Sequence, residues 1–224
     1  MKLLILGATG MLGRSIFKFF REKNNISIIG ICRDSVKAEK ISTESSELQV
    51  ISDFTKKEVL EKIILQFKPD VVINCVGLIK QINSSSNELN SKLLNSDFPH
   101  LIQSLQKNFN FRLIHYSTDC IFNGDKGNYK EEDKPNCKDV YGLSKLKGEI
   151  IKNKNCLTIR TSIIGHELDS NISLLDWFLS TKGEIEGYSK AFFSGLTTLE
   201  HAKVLDKFII PNKSPFLAIE SLIS

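Results

Sequence analysis

The stretch that decides the fold is Lys2-Leu3-Leu4-Ile5-Leu6-Gly7-Ala8-Thr9-Gly10-Met11-Leu12-Gly13. Its aliphatic run is far too short to cross a bilayer or to act as a signal peptide, and it suits a buried strand. The glycines that follow let the backbone turn sharply and approach an anion closely. From Met11 to Lys23 the spacing becomes helical, so the turn opens directly into a helix. The first N–H groups of a helix lack intrahelical partners and favour a phosphate. The glycine spacing is GxxGxxG, not the GxGxxG of many dehydrogenases. Its place after the first strand makes it a dinucleotide signature, with a ligand-free glycine turn as the bland alternative. On the dinucleotide reading Gly7, Thr9, Gly10, Met11, Leu12 and Gly13 contact the cofactor.

Further strand-like runs span Ile26 to Cys32, Leu48 to Ser52, Val71 to Val76, Phe111 to Ser117 and Cys156 to Thr161. Helices are predicted over Lys56 to Phe67, ended by Pro69, and over Leu89 to Lys107, with an irregularity at Pro99. A third is predicted over Val140 to Lys152. Strands alternating with helices predict an α/β fold with right-handed βαβ units and a doubly wound parallel sheet of Rossmann type. Strands this apolar fit a sheet covered on both faces. Ligands of such sheets sit at the carboxyl ends of the strands. Gln81 to Asn87 and Asn123 to Asp139 read as loops. Beyond Gly165 the alternation weakens. Residues 1–165 are therefore expected to form the dinucleotide-binding domain and 166–224 a small substrate lobe.

Composition narrows the function classes. In 224 residues the net charge is only +4, with no basic block interleaved with aromatics, which argues against nucleic acid. No apolar run is long enough for a membrane span. The five cysteines are odd in number and lack metal-ligand spacing, so free thiols in a reducing cytoplasm are expected. The four histidines are scattered and no metal site is expected, although His166 falls near the anticipated substrate cleft. Trp177 with Leu174, Leu175 and Phe178 reads as core. Phe192 and Phe193 either line the cleft or pack the lobe.

Three strand ends carry chemistry. At Cys32-Arg33-Asp34 an acidic side chain would bind ribose hydroxyls and favour NAD, whereas Arg33 suits a 2′-phosphate. With Lys37 nearby, NADP is the expected cofactor and NAD the alternative. Asp53 is expected either to accept a hydrogen bond from adenine or to cap the helix before Lys56. Ser117-Thr118-Asp119 ends the fifth strand, and Tyr141-Gly142-Leu143-Ser144-Lys145 follows. A Tyr and a Lys four apart share a helix face. A nearby ammonium lowers the tyrosine pKa, and Thr118 or Ser117 is placed to hydrogen-bond a substrate oxygen. Thr118, Tyr141 and Lys145 are thus the candidate proton-transfer group, while hydride must come from a cofactor.

These motifs resemble the extended short-chain dehydrogenase/reductase superfamily. Within it, residues Ser117 to Gly124, Tyr141 to Lys145 with Gly148-Glu149, and Arg160-Thr161-Ser162 resemble the dTDP-4-dehydrorhamnose reductase family. The resemblance implies an NADP-dependent reductase of a 4-keto nucleotide sugar, serving surface polysaccharide biosynthesis, with a homodimer as one assembly it could form. It makes Thr118, Tyr141 and Lys145 catalytic, puts Gly7, Gly10, Gly13, Tyr141 and Lys145 on the cofactor, and places Asn74 and Asn95 near it. Cys120 stands where the family usually has an aromatic residue. The chain ends at Ser224, short of the family's usual C-terminal portion. A sound cofactor half and a compromised substrate site are expected from that. Two alternatives stay open. One is an epimerase or dehydratase of the same superfamily, which would need further acid/base groups such as Asp119 or Cys120. The other is a non-catalytic, NADP-binding regulatory subunit.

Overall fold

The computed structural model describes residues 1–41, 47–78, 85–212 and 219–221. It contains a seven-stranded parallel sheet in the order β3-β2-β1-β4-β5-β6-β9. The strands are β1 (Lys2–Leu6), β2 (Ser27–Cys32), β3 (Leu48–Val50), β4 (Val71–Asn74), β5 (Arg112–Tyr116), β6 (Cys156–Arg160) and β9 (Ile219–Ser221). A separate parallel pair joins β7 (Ile163–Ile164) to β8 (Leu196–Thr197). The helices are α1 (Met11–Arg21), α2 (Ser35–Glu39), α3 (Lys57–Phe67), α4 (Ser85–Ser91), α5 (Phe98–Leu105), α6 (Val140–Lys147), α7 (Leu174–Ser180) and α8 (Thr198–Val204). This is the doubly wound α/β architecture expected from the alternation.

Strand side chains alternate between faces, and β1 divides its residues accordingly. Leu3 and Ile5 pack with Leu12, Ile16, Phe17 and Phe20 of α1 and with Ala202 of α8. Leu4 and Leu6 pack with Leu60, Ile63 and Ile64 of α3 and with Ile102 and Leu105 of α5. Both faces are thus dry, which is why the strands read as continuous apolar runs.

Three elements differ from the sequence expectation. The helix predicted over 89–107 starts earlier, at Ser85, inside the stretch read as a loop; residues 81–84 lie outside the described ones. It is also broken by a π-helical segment, Lys92–Asp97, in which Phe98 N–H donates to Leu93 O. Pro99, at the start of α5, has no N–H to continue an ordinary ladder, so the irregularity falls just ahead of it. Helix α6 stops at Lys147 instead of Lys152. There a Cβ on Gly148 would lie 1.8 Å from Asn95 O, so the chain crosses the π segment at closest approach.

The third difference is α7. It buries no residue: Leu174 is 60% exposed and Phe178 58%, so the Trp177 group is not core. Phe192, at 98%, packs against nothing. Helix α8, in contrast, returns to the sheet and buries Thr198, His201 and Ala202. Residues 213–218 and 222–224 lie outside the described ones. Among the described residues, no helix is long and apolar enough to cross a membrane.

Candidate active site

A cleft of about 1060 Å³ opens at the carboxyl ends of the central strands. Its floor is the turn between β1 and α1. Gly7 has φ +83°, which favours glycine, and its N–H and that of Ala8 both donate to Ile31 O at 3.0 Å. Gly10 N–H folds back to Gly7 O at 3.0 Å. A Cβ on Gly13 would lie 2.2 Å from Gly7 O, so the first turn of α1 presses directly on the glycine turn. Gly10 occupies the N-cap with no side-chain cap, and the first turn carries no acidic residue. The positive end of this eleven-residue helix is therefore available to an anion. Gly7, Thr9, Gly10, Met11 and Leu12 line the cleft, whereas Gly13 acts by permitting close packing.

Beyond β2, Arg33, Asp34 and Lys37 line the same cleft. The Asp34 carboxylate accepts Lys37 N–H at 3.0 Å and caps α2, so its role is local. Arg33 is exposed. Asp53 does not line the cleft. It pairs with Lys56 at 2.9 Å, and its neighbours Ser52 and Phe54 face the cavity instead. Nor does it cap α3, whose N-cap is Lys56.

Asn74 is fully buried, one layer beneath the position expected on the cofactor. Its Oδ1 accepts Val76 N–H at 3.1 Å and its Nδ2 meets His115 Nδ1 at 3.1 Å. It thereby shapes the turn whose Cys75, Val76, Gly77 and Leu78 line the cleft. Asn95 supports the same turn: it accepts Leu78 N–H at 2.9 Å and donates to Ser144 Oγ at 3.0 Å. The π segment delivers Asn95 to that spot, between the turn and α6. Both asparagines position the cleft wall from behind.

The three residues of the candidate proton-transfer group, Thr118, Tyr141 and Lys145, lie in one cleft. Thr118 Oγ1 donates to Asp119 Oδ1 at 3.2 Å and accepts Cys120 N–H at 3.2 Å, and its hydroxyl also acts on the Tyr141 phenol. Both Ser117 and Thr118 line the cleft, and they differ in their partners. Ser117 Oγ donates to Glu149 Oε1 at 2.8 Å and is thereby committed. Glu149 is held by Arg160 through Nε at 2.9 Å and Nη2 at 2.8 Å, with side chains only 0% and 3% exposed. A buried pair is tolerated when its hydrogen bonds are filled. Arg160 fills more by donating to Glu131 O at 3.2 Å, and it lies over the Phe122 ring. Glu149 and Arg160 were visible only as parts of signature motifs, because pairing across the fold leaves no trace in spacing.

The electrostatics differ from the expected Tyr–Lys coupling. Lys145 Nζ donates to Tyr116 O at 2.6 Å. Burial lowers its pKa to about 8, against the opposing pull of Cys75 and Glu149. Burial pushes Tyr141 up to about 12; the Thr118 hydrogen bond opposes this, and Cys120, Asp119 and Asp139 reinforce it. The ammonium therefore does not depress the phenol here: its hydrogen bond is spent on the β5 carbonyl, and acidic groups ring the tyrosine. Cys75 also lines the cleft, with its thiol raised to about 12 by burial despite Lys145. His166 is a rim residue outside the lining. Its Nδ1 meets Asp176 Oδ1 at 2.6 Å and its carbonyl accepts from Arg14. Among the described residues, no group of three His, Cys, Asp or Glu side chains is placed to hold a metal.

Comparison with known proteins agrees with this architecture. The chain is 31% identical over 176 residues to a dTDP-4-dehydrorhamnose reductase of Aggregatibacter actinomycetemcomitans, covering 76% of this chain and 54% of that protein. It is 27% identical over 172 residues to a methionine adenosyltransferase 2 subunit beta of Bos taurus, covering 75% of this chain and 48% of that protein. The chain thus spans about half the length of these relatives. A solved structure described as a hypothetical dTDP-4-dehydrorhamnose reductase of Sulfolobus tokodaii superimposes with a TM-score of 0.79 at 28% identity, covering 100% of this chain and 77% of that one. The sequence model for the RmlD substrate binding domain matches residues 1–175. With the glycine turn, the Tyr–Lys helix and the strand order in place over that span, the chain belongs to the RmlD substrate binding domain family.

Proposed function

We propose that this chain binds NADP(H) in the cleft and reduces the 4-keto group of a nucleotide sugar. One observation carries the reading: Thr118, Tyr141 and Lys145 share a single cleft with the glycine turn. The residues fit the cofactor, since the glycine turn and the start of α1, which has no side-chain cap, line the cavity. Gly7, Thr9, Gly10, Met11 and Leu12 would hold the pyrophosphate. Arg33 and Lys37 would hold a 2′-phosphate, and NAD is the alternative where they do not. When bound, the nicotinamide supplies the hydride. The proton is the protein's part. Tyr141 Oη gives it to the carbonyl oxygen, and Thr118 Oγ1 orients that oxygen and shares the developing charge. Lys145 supplies positive charge on the same face of α6.

The substrate class draws support from the relative named as a dTDP-4-dehydrorhamnose reductase. A cytoplasmic enzyme of surface polysaccharide biosynthesis, assembled as a homodimer, belongs to the same proposal. So does the division into a dinucleotide-binding unit over 1–165 and part of a substrate lobe over 166–224. A second reading, a non-catalytic nucleotide-binding subunit, draws on two observations. Lys145 is turned towards Tyr116, and one relative is named as a subunit of an adenosyltransferase. NADPH oxidation with a panel of 4-keto nucleotide sugars, beside a direct NADPH titration, separates them. Oxidation abolished in Tyr141→Phe supports the reductase and identifies its sugar. Binding without oxidation supports the subunit, and neither binding nor oxidation refutes both. Net consumption of NADPH also separates a reductase from an epimerase or dehydratase.

A further inference from the structure

One end of the cleft is crossed by ion pairs from a distant part of the chain. Lys37 of α2 lines the cleft beside Arg33 and Asp34. Asp169, in the connection between β7 and α7, reaches to the same helix. Its Oδ2 lies 4.0 Å from Lys37 Nζ, and its Oδ1 makes a closer contact with Lys40 Nζ. The connection is itself anchored. Glu167 N–H donates to Asp176 Oδ2 at 2.5 Å, Glu167 Oε2 accepts from Ser173 N–H at 3.1 Å, and Arg14 donates to His166 O at 2.6 Å. Glu167 and Ser173 line the same cleft as Lys37. Asp169 is therefore presented at a fixed place at the edge of the cavity, with its side chain 26% exposed.

We propose that Asp169 tunes the cofactor preference of this chain by competing with an adenosine 2′-phosphate for Lys37. The inference rests on the dinucleotide reading above and adds to it a residue that weakens NADPH relative to NADH. A phosphate beside Arg33 carries nearly two negative charges. It must draw Lys37 away from Asp169 and then stand near that carboxylate. A ribose 2′-hydroxyl makes neither demand. The effect of Asp169 therefore falls on the phosphorylated cofactor alone. Asp34 does not take part in the same way, because its carboxylate is engaged with the Lys37 backbone N–H and not with the ammonium.

The test is calorimetric titration of the full chain with NADPH and with NADH, for the wild type, Asp169→Asn, Lys37→Ala and the double variant. Partly exposed ion pairs are worth a factor of about two to five. Asp169→Asn is expected to tighten NADPH by about that factor, leave NADH unchanged, and lose the difference at high salt. Lys37→Ala is expected to cost more NADPH affinity in the Asp169→Asn background than in the wild type, because the competitor is gone. An equal change for both cofactors, or no change, overturns the inference while the dinucleotide reading stands. A wild type that binds neither nucleotide overturns both.

Discussion

The contact between Gly13 and Gly7 allows a sharp steric test of the phosphate turn. In Gly13→Ala the new methyl would sit 2.2 Å from Gly7 O and 2.9 Å from Gly7 C, both backbone atoms. Relief needs α1 to retreat from the turn by about 1 Å, judged against an ordinary carbon–oxygen contact. Overpacking of this kind costs about 1–3 kcal/mol, partly offset by the roughly 1 kcal/mol that alanine gains over glycine within a helix. Here the clashing atoms belong to a turn doubly bonded to Ile31 O, so a value near the top of that range, about 2 kcal/mol net, is expected. For a chain of this size that lowers Tm by about 4–8 °C. Gly10→Ala is the control, since its methyl would meet Gly7 O at 3.4 Å, an ordinary contact. Losing glycine from the N-cap should cost it under about 1 kcal/mol. Urea denaturation of both variants, with NADPH titration, checks the pair. NADPH affinity should fall at least tenfold in Gly13→Ala, because the N–H groups at the start of α1 move with the helix. Equal stability of the two variants, or a Gly13→Ala that binds NADPH normally, would refute the packing argument.

Other expectations follow from the same geometry. Tyr141→Phe should abolish NADPH oxidation while changing NADPH affinity little; a variant that turns over at the wild-type rate removes Tyr141 from the chemistry. Glu149→Gln leaves the buried Arg160 charge without its carboxylate and should cost about 3–5 kcal/mol in urea denaturation; a near-neutral result would mean the pair is not desolvated. Lys145 has a folded pKa of about 8, below the ordinary lysine value of 10.5. Its ammonium therefore costs stability in full below pH 8, and that cost fades as pH rises towards 10.5. Relative to Lys145→Met, the wild type should gain up to about 3 kcal/mol across that window. Thermal unfolding of the two proteins from pH 7 to 10.5 checks this, and parallel curves would mean the ammonium is well solvated.

Most of the frame was legible because it obeys local rules. The four-residue run in β1 and the glycines after it set strand, turn and helix without help from distant residues. The Tyr141–Lys145 spacing needed only the helix period. What could not be read depends on partners far apart in sequence. Asn74 looks like a cofactor residue at a strand end, yet its side chain points beneath the turn to His115, forty-one positions away. Asp53 lies in the turn after β3, between two residues that line the cavity, so no strand alternation tells which way its side chain goes. Ser117 and Thr118 are chemically interchangeable in the sequence, yet one donates to Glu149, thirty-two positions away, and the other to its neighbour Asp119. The apolar residues of α7 were read as core from composition alone, but hydrophobicity does not say which surface will cover a helix.

The protonation states in the cleft favour one direction of chemistry. With a pKa near 12, Tyr141 keeps its proton throughout the neutral range. A carbonyl that accepts hydride becomes an alkoxide, a far stronger base than a phenolate, so a protonated tyrosine can neutralise it even when its own acidity is reduced. The reverse reaction would need Tyr141 as a phenolate, and burial together with Asp119, Cys120 and Asp139 opposes that charge. Lys145, mostly charged below pH 8, does not remove the obstacle while its hydrogen bond goes to Tyr116 O. The arrangement therefore suits reduction over oxidation at neutral pH. Oxidation of a 4-hydroxy sugar should accelerate steeply with alkaline pH, while reduction should stay flat from pH 6 to 8. Rate profiles measured in both directions with the same sugar test this, and a reductive rate that climbs with pH would contradict it.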